Sequence, residues 1–136
     1  MNTGNYYFST RINGTFEEGE ARLREALQAE SFGIVSEIDF KSKMQEKLGA
    51  TIRPYKILGA CQVQSAFKAL QHEPFIGLLM PCNTVIRESE DGVIEIAVVD
   101  TMMTMATVKN ADLKCIADEV RLKLQKVILR IEGELE

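Results

Sequence analysis

Asp91-Gly92 stands between two runs rich in β-branched residues, Thr84 to Glu88 and Val93 to Val99. Such a pair supplies the positive φ of a tight turn, so the chain must double back there and build antiparallel sheet. The hairpin closes a longer stretch, Lys56 to Asp100, around which the remaining segments read as cover. Pro54 sets off a strand over Tyr55 to Cys61. A short helix follows over Gln62 to Gln71, with Ala66, Phe67 and Leu70 as its apolar positions. His72-Glu73-Pro74 reads as a loop. Phe75 to Glu90 reads as one long strand interrupted at Pro81, which cannot donate to a ladder and predicts a bulge, bend or edge.

The segments on either side alternate between strand and helix. Asn5 to Ile12 is aromatic and β-branched, a first strand broken by Asn13-Gly14. Thr15 and Glu18 form a capping-box pattern that opens a helix running to about Ser31. Phe16, Leu23, Ala26 and Leu27 mark its apolar face, and Glu18–Arg22 and Glu20–Arg24 are i,i+4 pairs on its wet side. Gly33 is expected to end it. Ile34 to Asp39 alternates as a short strand. Asp39 caps a brief helix with Phe40, Met44 and Leu48 on one narrow stripe, closed by Gly49. That stripe is a candidate for packing against a second subunit. Beyond the hairpin, Asp100 to Asn110 reads as irregular. Leu113, Ile116, Ala117, Val120, Leu124 and Val127 then give a helical stripe that continues to about Arg130, ahead of an acidic, frayed tail over Glu132 to Glu136. The order β-α-β-α-β-α-β-β-α predicts an α+β fold: an antiparallel sheet with helices on one face, in two layers.

At 136 residues the chain fits one domain, residues 1–136, with a core that needs no staples. A net charge of −4 argues against a nucleic-acid surface and against anionic membranes. Met1 to Asn5 has neither the basic start nor the apolar run of a secretory signal. No apolar run approaches the roughly 18–20 residues of a membrane span. A cytoplasmic protein, binding neither nucleic acid nor membrane, is expected. Gly-rich phosphate loops are absent.

Chemistry has few places to sit. Cys61 and Cys82 fall at or near the ends of predicted strands, and CxxC does not occur. If those strands are neighbours, the two sulfurs approach, and soft thiolates with Met80, Met102, Met103 or Met105 suit copper(I) or another soft ion. A redox-active thiol pair is a further possibility. Against both stands ordinary packing, since a free cysteine behaves as a small hydrophobe. The Met-rich run Met102-Met103-Thr104-Met105 has the same two faces: an adaptable pocket lining or gap-filling beside a helix. His72, the single histidine, lies in a polar loop with only Glu73 beside it, so it reads as solvated. Asp100 starts a turn or offers a carboxylate at a strand end. Cys115 borders the last helix's stripe and reads as core.

Several pieces of the chain together resemble the family catalogued as domain of unknown function 302. They are Leu58-Gly59-Ala60-Cys61, Ser65 to Leu70, Gly77-Leu78-Leu79-Met80-Pro81-Cys82-Asn83-Thr84-Val85, Glu88 through Asp91-Gly92, and Val98-Val99-Asp100. No single piece is a catalytic signature; their order and spacing carry the likeness. The resemblance implies a fold like that of the TATA-binding protein, a curved antiparallel sheet packed on a long helix, and it implies a homodimer. It implies no activity. Two positions depart from the family's pattern: Gln62-Val63 stands where the family often has Asn-Pro, and Thr101 where it often has Pro. Both departures remove a rigid turn element, so looser loops are expected beside the site. A curved sheet under a helix leaves a concave apolar face. The expected function is therefore a non-enzymatic module for a small apolar ligand contacted by Cys61, Leu78, Met80, Cys82, Asp100 and Met103. The alternative is a thiol or soft-metal protein with Cys61 and Cys82 as ligands. The residues identify no cofactor.

Overall fold

The structure, a computed structural model, describes residues 1–135. Its elements in chain order are β1 (Asn2–Thr3), β2 (Tyr7–Ile12), α1 (Phe16–Ala29), β3 (Gly33–Asp39), α2 (Phe40–Leu48), β4 (Tyr55–Cys61), α3 (Val63–His72), a 3-10 turn (Ile76–Leu79), β5 (Cys82–Glu88), β6 (Ile94–Val99), α4 (Thr101–Met105) and α5 (Ala111–Ile131). The strands form one open six-stranded sheet in the order β1-β2-β6-β5-β4-β3, antiparallel at every pairing. This is the α+β arrangement expected, with β1, α4 and the 3-10 turn added.

Alternation decides which face is covered. Phe8, Thr10 and Ile12 of β2 face the same side as Val98, Ile96 and Ile94 of β6, their register partners, and all six are buried. Ile86 of β5 and Leu58 of β4 continue the layer, and α1 and α5 lie across it. Leu23 and Leu27 of α1 and Leu124 and Ile128 of α5 have no exposed surface. Gly19 is what lets α1 lie this close: a Cβ there would stand 2.9 Å from Ile94 Cγ2 and 3.0 Å from Ile86 Cδ1. β3, at the sheet's edge, buries none of its residues, and a bulge between Ile34 and Ser36 interrupts its pairing with β4. Such irregularity discourages a further strand from adding to that edge.

Capping follows the sequence at two helices. Thr15 accepts from the Glu18 amide at 3.1 Å, and Asp39 accepts from the Ser42 amide at 3.1 Å. Gly49 closes α2 in the left-handed region, φ 63°. Gly92 holds the hairpin turn at φ 82°. Elsewhere the chain departs from expectation. Helix α1 ends through Ser31, at φ 66°, and Gly33 instead begins β3. Arg24 pairs with Glu20 as expected, at 2.8 Å, but Arg22 donates to the Ile131 carbonyl and so ties α1 to α5. Residues Phe75 to Pro81 are not strand: the chain makes a 3-10 turn, and β5 starts only at Cys82, after a cis Met80–Pro81 bond. The expected irregular segment after Asp100 holds the short helix α4. Of the acidic tail, Glu132 is tied in, accepting from the Thr10 hydroxyl at 2.7 Å, and Glu136 lies outside the described residues. Among the described residues no helix is long and apolar enough to cross a membrane.

Candidate functional site

The outgoing end of β4 and the incoming end of β5 lie side by side, with Ala60 opposite Cys82. Between them the chain travels out along α3, through the 3-10 turn, and back over Pro81. Gly59 makes room for that return, since a Cβ there would stand 2.6 Å from Pro81 Cγ. Beneath the excursion lies a cavity of about 290 Å³. The ends of β4, β5 and β6 form its floor, while α3, the 3-10 turn, α4 and the first half of α5 wall it. Amphipathicity explains the wall. Helix α3 turns Ser65, Ala66 and Ala69 to the cavity and leaves Val63, Phe67 and Leu70 outside. Small residues on the inner side are what leave the space open.

Four of the six expected ligand contacts line this cavity: Cys61, Leu78, Met80 and Cys82. Leu78 stands at the rim, 85% exposed. Asp100 and Met103 do not line it. Asp100 is buried and structural: it caps α4 by accepting from the Met102 amide at 3.0 Å, and it pairs with Arg121 Nε at 2.9 Å. The same guanidinium lies 5.2 Å from the centre of the Phe8 ring, so Asp100 and Phe8 together fix the junction of α4, α5 and β2. Met103 is 49% exposed. Its place is taken by Met105, two residues further and so on the other side of the helix, with Thr101 and Thr104. The Met-rich run that holds Thr104 and Met105 was a candidate pocket lining, but with no periodicity expected of α4 the sequence did not say which of its residues face inward. Leu113, Ile116, Ala117 and Val120 were legible as an α5 stripe but not as cavity wall.

None of the lining residues is charged. Several polar groups are already engaged. The Thr101 hydroxyl donates to the Ala117 carbonyl at 2.7 Å, Thr104 donates to the Thr101 carbonyl at 3.0 Å, and Ser65 donates to Gln62. Burial pushes the Cys82 thiol up to about 11, with a smaller push from neighbouring Cys61, and burial raises Cys61 as well. Both sulfurs therefore hold their protons at neutral pH. Cys115 is exposed on α5, contrary to its expected place in the core, because it falls outside the stripe that α5 turns inward. His72 ends α3 on the surface, its Nδ1 3.5 Å from Asp112, and takes no part in the cavity. Among the described residues no three His, Cys, Asp or Glu side chains gather as a metal-binding group.

Comparison with known proteins sets this geometry in a family. No curated protein matches the chain. The crystal structure of the uncharacterized conserved protein DUF302 from Bacillus stearothermophilus superposes with a TM-score of 0.86 at 26% identity, covering 94% of this chain and 99% of that one. The family profile described as domain of unknown function DUF302 matches residues 8–131, from the second strand to the end of the last helix. With that profile spanning both layers of the fold and every wall of the cavity, the chain belongs to the DUF302 family.

Proposed function

We propose that the cavity takes up a small, uncharged ligand and that the protein works as a non-enzymatic binding module. The observation that carries this reading is the lining: apolar side chains, a few amides and hydroxyls, and no charge. A charged ligand would lose its hydration there without a partner, at a cost of several kcal/mol. The volume, about 290 Å³, lies near the lower end of small-molecule sites and suits a single small heterocycle. Both thiols are protonated and the one histidine is elsewhere, so the lining offers no poised acid, base or nucleophile.

A thermal-shift screen of neutral heterocycles against their carboxylated analogues tests this. A saturable rise in Tm is expected with neutral compounds alone. Ala66→Phe, which fills the cavity from α3, should abolish it. The absence of any neutral ligand sensitive to Ala66→Phe overturns the reading.

A second reading, a thiol or soft-metal site on Cys61 and Cys82, is favoured by one specific observation: Met80 and Met105 line the same cavity. A cytoplasmic setting belongs to either reading, because the three cysteines are unpaired thiols of the kind a reducing compartment preserves. Pairing with a second copy belongs to them too. Val63, Phe67 and Leu70 form an exposed stripe on α3, and Phe75 and Leu78, in and beside the 3-10 turn that follows, are exposed as well. Apolar surface of this extent is what a homodimer would cover.

A further inference from the structure

We infer that Cys61, Cys82, Met80 and Met105 form a binding site for monovalent copper. The inference rests on the second reading above and names its ligand. Four sulfur-bearing residues from three separate parts of the chain line one small cavity: Cys61 at the end of β4, Met80 and Cys82 on either side of Pro81, and Met105 on α4. They are near one another by independent signs. Met80 and Met105 pack against the same small cluster of Ala69, Ile76 and Leu113. Cys82 lies opposite Ala60, the residue before Cys61, at the paired ends of β4 and β5.

The donor set selects the metal. Thiolate and thioether are soft ligands that favour copper(I), whereas zinc takes imidazole, carboxylate and thiolate but makes little use of thioether. The lining contains no imidazole and no carboxylate, so its only competing donors are the neutral oxygens of hydroxyls, amides and backbone. Charge selects in the same direction. An uncharged cavity tolerates a neutral complex far better than a charged one. Copper(I) bound by one thiolate and by uncharged sulfurs has no net charge. Cys61, the less deeply buried of the two thiols, supplies the thiolate. Its S–H bond breaks, a Cu–S bond forms, one proton leaves to solvent, and copper stays monovalent throughout.

The test is an anaerobic titration of the full chain with copper(I) against bathocuproine disulfonate, a chelator that competes for it, joined to X-ray absorption at the copper edge. One copper per chain with sulfur-only coordination is expected. Affinity should rise about tenfold per pH unit near neutrality, since one proton is released on binding. Cys61→Ser and Cys82→Ser should each lose competition with the chelator. Met80→Leu and Met105→Leu conserve volume and keep the fold, and each should weaken binding by tenfold or more, while Cys115→Ser changes nothing. Copper that stays with the chelator overturns the inference, as does uptake unaffected by both methionine variants. Neutral-ligand thermal shifts measured on the same samples separate the failures: retained shifts without copper uptake sink the copper site and leave the binding module standing.

Discussion

At the scale of single residues, Cys82 has the clearest energetic signature. Folding removes its thiol from water and raises its pKa from the ordinary value near 9 to about 11. Between those values the folded chain keeps a proton that the unfolded chain releases. The resulting stabilisation is fully present below about pH 9 and is lost as pH rises toward 11. Each pKa unit corresponds to about 1.4 kcal/mol, so the loss should reach about 1–3 kcal/mol. Urea unfolding from pH 8 to 11 measures it, with Cys82→Ala as the reference that lacks this slope. Lys56, whose pKa is raised chiefly by its hydrogen bond to Glu20, also loses its ion pairs at the alkaline end, but equally in both proteins. Equal slopes in the two would show that Cys82 is more solvated than its position implies. Chemistry-bearing residue types were legible in the sequence, but burial was not: Cys61 and Cys82 came to one cavity while Cys115 came to the surface.

Individual elements were most legible where a side chain supplies the signal locally. Thr15 and Asp39 start their helices because each satisfies an amide within three residues, a property of the local chain alone. The segment from Phe75 to Pro81 was misread because a short apolar run fits a strand and a 3-10 turn equally well, and contact with α3 and α5 decides between them. The two departures from the family pattern also look different in place. Val63 and Thr101 are not loop residues; each is the first residue of a helix, α3 and α4. Proline is well tolerated at that position, where the missing N–H has no helical partner. The preceding residues are already extended, Gln62 at φ −94° and ψ 104°, and Asp100 at φ −88° and ψ 107°. Val63→Pro should therefore stabilise the protein by about 0.4–1 kcal/mol, through the entropy of the unfolded chain. Thr101→Pro should instead destabilise by about 1–2 kcal/mol, because it removes the buried hydroxyl that donates to the Ala117 carbonyl. Thermal melts of the two variants give opposite signs if this is right, and the same sign if the loops alone matter.

For the molecule as a whole, two apolar faces compete as the place where a second copy would pair. Helix α2 offers Leu48, 74% exposed, but its Phe40 is already engaged by Tyr55, with ring centroids 5.8 Å apart. The α3 stripe and the 3-10 turn after it offer more, with Phe67 at 62% and Phe75 at 78% exposed. Sedimentation velocity should find dimers at micromolar concentration, and Phe67→Asp with Leu78→Asp should make them monomers. Dissociation by Met44→Asp instead would place the seam on α2, and a monomeric parent would remove the pairing altogether. The sequence by itself determined the antiparallel hairpin, the strand–helix alternation and the inward stripes of α1 and α5, because turn chemistry and periodicity act over a few residues. Only the tertiary structure decided that β4 and β5 meet at Ala60 and Cys82, that Met105 rather than Met103 faces the cavity, and that Asp100 is taken up by Arg121. Those outcomes depend on pairings between residues far apart in the chain, and no local propensity specifies which distant partner a side chain will meet.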